Sequence, residues 1–277
     1  MKDFQFYNPV RVVFGKKSFE KLAGLIPPDH TVVLIHGGGS VKKNGVYDRI
    51  MAQLAGRRVV EFGGITPNPA YETLMECVGL VRKTASPFLL AVGGGSVIDG
   101  TKFIAAAVSY QGDPWDILSK GGNITQTVPF GVALTIPATG SEMNNGAVIT
   151  RRETREKLVF QHDLVFPQFA LMDPTVTFSL GAFQTANGIV DAYVHVLEQY
   201  LTYDVQTPLQ DRQAQAVLST LVSEGPKVLA SPQDYDLRAT IMWSATAALN
   251  RVLSCRSRIL AQPCRSTRRV ATPPWPS

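Results

Sequence analysis

The sequence predicts an α/β chain: a mostly parallel sheet covered by helices over residues 1–180, then an all-helical part over residues 181–250. Three observations carry this. Short β-branched runs alternate with helical stretches from Arg11 to Met172, the pattern of strands joined by crossover helices. Two of the apolar runs end in glycine-rich turns. After Asp173-Pro174 the β-like runs stop and long amphipathic stretches take over.

Taken in order, strands are predicted at Arg11–Phe14, Thr31–Ile35, Arg57–Phe62, Phe88–Val92 and Phe130–Ile136, with further β-like runs at Ala147–Thr150 and Phe169–Met172. Helices are predicted between them at Val46–Ala55, Ala70–Thr84 and Val97–Tyr110. The turn Thr66-Pro67-Asn68-Pro69 is rigid, because each proline fixes its own φ and restricts the residue before it; Asn68 is thereby held at a strand end. Helices follow at Phe183–Thr202, Pro208–Ala230 and Tyr235–Asn250. Ile189, Tyr193, Val196, Leu197 and Tyr200 form an apolar stripe on the first of these, and Asp191 and His195 lie beside it, four residues apart on one face.

The 277 residues carry a formal charge of +5, which invites comparison with nucleic-acid binders. The excess is local. Residues 251–277 hold six arginines and no acid, leaving 21 basic against 22 acidic residues in 1–250, so the body has no basic footprint for a phosphate backbone. With no acids, no clear period and four of the 18 prolines, that terminal stretch is expected to be disordered. Cys77, Cys255 and Cys264 are too few for a disulfide framework. No basic leader with an apolar core and no membrane-length apolar run is present, so a cytoplasmic, membrane-free protein is the default expectation.

The chemistry concentrates at the glycine turns. Gly93-Gly94-Gly95-Ser96 follows the strand at 88–92 and opens a helix: without Cβ atoms the backbone can approach a ligand, and the helix N–H groups point at it with the positive end of the dipole. Asp99, one turn further, adds an acceptor. His36-Gly37-Gly38-Gly39-Ser40 repeats the arrangement after the strand at 31–35. A lone triplet is equally consistent with a tight turn, and Ile98 departs from the Gly-x-Gly-x-x-Gly dinucleotide fingerprint, which wants a small residue there.

Taken together, Val12-Val-Phe-Gly15, Gly37–Ser40, Pro67-Asn-Pro69, Gly93–Asp99, Pro137-Ala-Thr-Gly-Ser-Glu142 and Asp191-Ala-Tyr-Val-His195 resemble the iron-containing (group III) alcohol dehydrogenase family, in particular its NADPH-dependent aldehyde reductase and butanol dehydrogenase branch. The resemblance implies a dinucleotide-binding domain over 1–180 and the start of a helical metal-binding domain over 181–250. It implies NADP(H) contacts at Gly38, Gly39, Ser40, Asn68, Gly94, Gly95, Ser96, Asp99, Thr135, Thr139, Ser141 and Lys157, with Asp99 and Lys157 at the catalytic end. Gly39 and Ser40, with Lys42 and Lys43 close behind, stand where NAD-preferring members carry an acid, which points to NADP. Small aldehydes or primary alcohols are the implied substrates and a homodimer the implied assembly.

Asp191 and His195 match half of the family's metal site, where Fe²⁺ or Zn²⁺ would act as a Lewis acid on the carbonyl oxygen. The family adds two further histidines downstream. This chain has none after His195; His30, His36 and His162 read as a loop, a strand end and a surface residue. From Asn250 the resemblance stops, as a shifted frame, a mispredicted gene end or a damaged gene would produce. The helical domain is therefore expected to be incomplete, with apolar stripes left exposed and metal-dependent turnover impaired. The rival readings are a non-catalytic NADP-binding remnant and a glycerol dehydrogenase-like relative.

Overall fold

A computed structural model describes residues 4–201 and 206–253. Residues 254–277, where disorder is predicted, and Cys255 and Cys264 with them, lie outside the described residues, as does Thr202 at a predicted helix end. In chain order the elements are β1 Arg11–Phe14, β2 Thr31–His36, α1 Ser40–Lys43, α2 Val46–Gln53, β3 Val59–Phe62, α3 Tyr71–Arg82, β4 Pro87–Gly93 and α4 Gly95–Ala107. They continue with α5 Asp116–Ser119, β5 Phe130–Leu134, β6 Gly146–Arg151, β7 Glu156–Gln161, β8 Phe169–Met172, α6 Ala182–Tyr200, α7 Pro208–Ala230 and α8 Tyr235–Ala248.

Six strands form one sheet in the order β1-β8-β5-β4-β2-β3, every pairing parallel. Both faces are covered, which is why the central strands read as unbroken apolar runs. Alternation still sorts them: Val33, Ile35, Leu89 and Ala91 face α3 and α4, whereas Val32, Leu34, Phe88 and Leu90 face α2. A third cluster is built by Ala192, Val196, Leu221, Val228, Ile241 and Ala245 from α6, α7 and α8.

Several boundaries differ from the periodicity, each for a local reason. Arg57 stays outside β3 because its guanidinium is held by the carbonyls of Ala23, Ile26 and Pro27 at 2.7–2.8 Å. β5 ends at Leu134 just before Pro137, which has no N–H for a ladder. β7 was not predicted: its inward residues are only Leu158 and Phe160, and it pairs antiparallel with β6 in a hairpin separate from the main sheet. This hairpin is pinned to the rigid turn by Thr150 N–H donating to the Pro69 carbonyl at 2.9 Å.

The helices dock onto the sheet through a bare position. A Cβ on Gly188 of α6 would lie 2.6 Å from the Pro137 carbonyl oxygen, so only glycine lets α6 approach the turn after β5. Away from that contact, Phe183, Val190, Val194 and Val222 are exposed, in line with the expected uncovered apolar surface. No helix among the described residues is long and apolar enough to cross a membrane.

Gly131 tests the packing of the central sheet. Its Cβ would enter the ring of Phe169 at 2.2 Å, and that ring stacks on Phe88 with centroids 5.9 Å apart. Gly131→Ala is expected to destabilise the fold by about 2 kcal/mol through overpacking; thermal unfolding with no loss would refute the tight stack.

Candidate active site

β4 runs out at Gly93 and α4 begins at Gly95, with the Val97 and Ile98 N–H groups donating to the Gly94 carbonyl at 3.0 and 3.2 Å. The helix thus starts two residues before the predicted Val97, inside the glycine turn. The need for glycine here is also internal. A Cβ on Gly93 would lie 2.5 Å from Val97, on Gly94 3.0 Å from Ile136 and on Gly95 2.6 Å from Thr139. Bare residues let this turn nest against the end of β5, while the first N–H groups of a 13-residue helix are left without intrahelical acceptors.

Lys102, one turn beyond Asp99 on α4, is fully buried and spends all three ammonium hydrogens: on Ser141 Oγ at 2.8 Å, Asn144 Oδ1 at 2.9 Å and the Gly146 carbonyl at 2.8 Å. Ser141 Oγ in turn donates to Asp99 Oδ1 at 2.6 Å, and the Val148 N–H donates to Asp99 Oδ2 at 2.9 Å. Asn144 Nδ2 donates to the Gly140 carbonyl at 2.9 Å and to the Leu249 carbonyl at 3.2 Å, carrying the network to the end of α8. Burial pushes the Lys102 ammonium down to about 8 against the pull of Asp99 and Glu142. Burial also raises the Asp99 carboxyl, opposed by Lys102, Ser141 and Val148. Glu142 is buried as well and its carboxyl raised; Thr246 Oγ1 of α8 donates to its Oε1 at 2.5 Å, and its Oε2 has no hydrogen-bond partner.

Beside this network opens a cavity of about 260 Å³ lined by Asp99, Thr139, Ser141, Val148, Gln161 and His195, among others. The structure thus brings four of the predicted residues, Asp99, Thr139, Ser141 and His195, to one space. Asn68 and Lys157 do not line that cavity: Lys157 Nζ donates to Asn68 Oδ1 at 2.8 Å while its charge still acts on Asp99, and Asn68 takes the left-handed φ of +53° that asparagine tolerates. Ser96 is partly exposed in the first turn of α4. Thr135 is buried at the end of β5, its N–H on the Gly93 carbonyl at 3.0 Å and away from that cavity.

Asp191 Oδ1 and His195 Nε2 stand 3.8 Å apart on one face of α6, and His195 Nδ1 is buried without a hydrogen-bond partner. Among the described residues no third histidine, cysteine or acid joins them in a group able to hold a metal. Structural and catalytic zinc centres take at least three protein ligands, so this pair alone does not fit a resident Fe²⁺ or Zn²⁺.

The first glycine turn differs from the second. Gly38 and Gly39 face open space, Gly39 has φ +97°, and Ser40 opens α1 in an exposed position. Lys42, one of the two lysines behind this turn that point to NADP in the sequence, is engaged by Glu61 of β3 in an ion pair. Glu61 also accepts from Tyr47 Oη at 2.8 Å, and His36 Nε2 lies 2.8 Å from its Oε1. Lys42, then His36, hold the Glu61 carboxyl down at about 2.

Sequence reasoning overlooked Lys102 and Glu61. Each carries a signal: Lys102 is the one cation of α4 and is flanked by the apolar run Phe103–Ala107, and Glu61 is the one acid in the run Val59-Val60-Glu61-Phe62. Replacing Lys102 with methionine strands the Asp99 carboxyl and three acceptors, for an expected loss of about 3 kcal/mol near neutral pH. Because the folded chain holds this proton less tightly than the unfolded one, Lys102 contributes stability that rises with pH between about 8 and the ordinary lysine value. Unfolding measured across that window is expected to show the gap between parent and Lys102→Met widening; a narrowing gap would contradict the burial argument.

Comparison with known proteins places this architecture. The model of the family described as iron-containing alcohol dehydrogenase matches residues 9–174, and that of the Fe-containing alcohol dehydrogenase family C-terminal region matches residues 185–257. The chain is 53% identical over 253 residues to the NADPH-dependent aldehyde reductase YqhD of Escherichia coli, covering 90% of this chain and 65% of that protein. It is 44% identical over 261 residues to the probable NADH-dependent butanol dehydrogenase 1 of Bacillus subtilis, covering 93% and 67%. The crystal structure of E. coli YqhD superposes with a TM-score of 0.89 over 91% of this chain and 65% of that one, at 52% identity. That of NADH-dependent butanol dehydrogenase A from Thermotoga maritima gives 0.88 over 92% and 65%, at 37% identity. The chain therefore spans about two thirds of the length of these relatives. On sequence match and on fold it belongs to the iron-containing alcohol dehydrogenase family.

Proposed function

We propose that this chain binds NADP(H) across its two glycine turns and derives from an oxidoreductase that interconverts aldehydes and primary alcohols. The observation that carries the reading is the junction at Gly93–Ser96, where a helix N-terminus and the cavity containing Asp99, Thr139, Ser141 and His195 lie side by side. A family relationship to an NADPH-dependent aldehyde reductase supports it.

In this reading Gly94, Gly95 and Ser96 hold the pyrophosphate at the start of α4, and Gly38, Gly39 and Ser40 border the adenosine ribose. Asp99, Thr139 and Ser141 border the nicotinamide end, with Thr135 behind them and Lys157 steadied by Asn68 at the ribose. NADPH supplies, when bound, a hydride for the carbonyl carbon of an aldehyde. Lys102 keeps Ser141 and Asp99 in register through the hydrogen bonds already described. Residues 1–180 carry this cofactor site, and residues 181–250 supply Asp191 and His195. Among the described residues only these two donors come together, too few to hold Fe²⁺ or Zn²⁺ against water, so no metal-assisted step is assigned to them and impaired turnover is expected. A homodimer in the cytoplasm completes the reading; the exposed Phe183, Val190 and Val222 support association.

Fluorescence titration of the purified chain with NADPH is expected to show saturable binding, and its absence would sink the reading. Aldehyde-dependent oxidation of NADPH is expected to lie orders of magnitude below that of a full-length relative, because a lost Lewis acid removes several kcal/mol of transition-state stabilisation. Added Fe²⁺ or Zn²⁺ should leave it there. Restoration of a full-length rate by either metal would overturn the two-donor argument.

A further inference from the structure

We infer that Glu61 sets the nicotinamide-cofactor preference of the first glycine turn by competing for Lys42. The inference rests on the NADP(H) reading above. It starts from topology: β3 is the outermost strand beside β2, Leu34 pairs with Glu61, and Ile35 pairs with Phe62, so Glu61 stands next to the point where β2 gives way to the turn. No sequence motif announces this acid, because it lies 21 residues beyond Ser40 and reaches the turn only across the sheet.

The cluster is built around the carboxylate. Lys42 Nζ and His36 Nε2 share Oε1, and Tyr47 Oη donates to Oε2. His36 Nδ1 lies 2.8 Å from the Gly37 carbonyl, which ties the ring to the turn itself. Gly63 makes room for the ring, since a Cβ there would lie 2.5 Å from it. A buried ring and a bare residue thus fix Glu61 against the turn, whereas Lys42 reaches it on a flexible exposed stem.

Beside the cluster, Gly38 and Gly39 leave open space where the two cofactors differ, by a 2′-hydroxyl or a 2′-phosphate on the adenosine ribose. Of the two lysines behind the turn, Lys42 and Lys43, Lys42 is already engaged by Glu61. A 2′-phosphate has to draw Lys42 from that carboxylate and settle beside a negative charge. A 2′-hydroxyl meets no such cost. Lysines behind the turn therefore favour NADPH less than their number suggests, and Glu61 narrows the gap between NADPH and NADH.

The test is a set of fluorescence titrations with NADPH and with NADH on the parent chain, Glu61→Gln, Lys42→Met and the double variant, each checked for folding by circular dichroism. Removing one charge near contact distance in a solvated site is expected to raise the NADPH-to-NADH affinity ratio about fivefold in Glu61→Gln. Lys42→Met is expected to weaken NADPH more than NADH, and the gain from Glu61→Gln is expected to shrink in its background. A ratio unmoved or lowered in Glu61→Gln, or an undiminished gain in the double variant, overturns the role of Glu61. Should Glu61→Gln not fold, Lys42→Met decides: equal weakening of both cofactors refutes the inference. Failure of the parent chain to bind either dinucleotide would instead refute the cofactor reading itself.

Discussion

One buried ammonium organises the candidate site. Lys102 projects from α4 into a fully buried position, and its charge is tolerated because three acceptors on the Ser141–Gly146 segment converge on it. That convergence fixes the segment's path, and the path fixes everything else. Ser141 is turned towards Asp99, Val148 offers its N–H to the same carboxylate, and Asn144 reaches the end of α8. Without the ammonium, the segment linking β5 to the hairpin would lose the anchor that makes it one wall of the cavity.

The cost of this arrangement is electrostatic. Two carboxyls, the buried Glu142 and the half-buried Asp99 at the cavity wall, face a single buried cation, so loss of solvent raises both acids while it lowers the lysine. Groups balanced in this way respond strongly to a new charge nearby, as titratable groups at functional sites do. Glu142 also ties the sheet domain to α8 through Thr246, and Gly188 lets α6 close on the turn after β5. The same contacts that shape the cavity therefore dock the helices, and His195 reaches the cavity wall by that docking.

Two glycine turns that look alike in sequence are glycine-rich for different reasons. At Gly93–Gly95 each missing Cβ makes way for the protein's own side chains, Val97, Ile136 and Thr139. At Gly38 and Gly39 nothing of the protein fills the space, and the positive φ of Gly39 demands glycine by conformation. The turn at Gly93–Gly95 is packed and rigid towards the core; the turn at Gly37–Ser40 is open, with its charge balance set by a strand that is distant in sequence.

Much of this was legible in one dimension. The alternation of β-branched and helical stretches, the glycine turns at strand ends, and the shift to long amphipathic helices after Asp173-Pro174 are local patterns, and local patterns determine element type and order. Motif order likewise determined the family. Strand order, the separate β6–β7 hairpin, the partners of Lys102 and the capture of Lys42 by Glu61 were decided only by tertiary structure. The physical reason is common to all of them: each depends on which residues far apart in the chain meet across a sheet or in a core, and a buried charge declares its role only through the acceptors that folding brings to it.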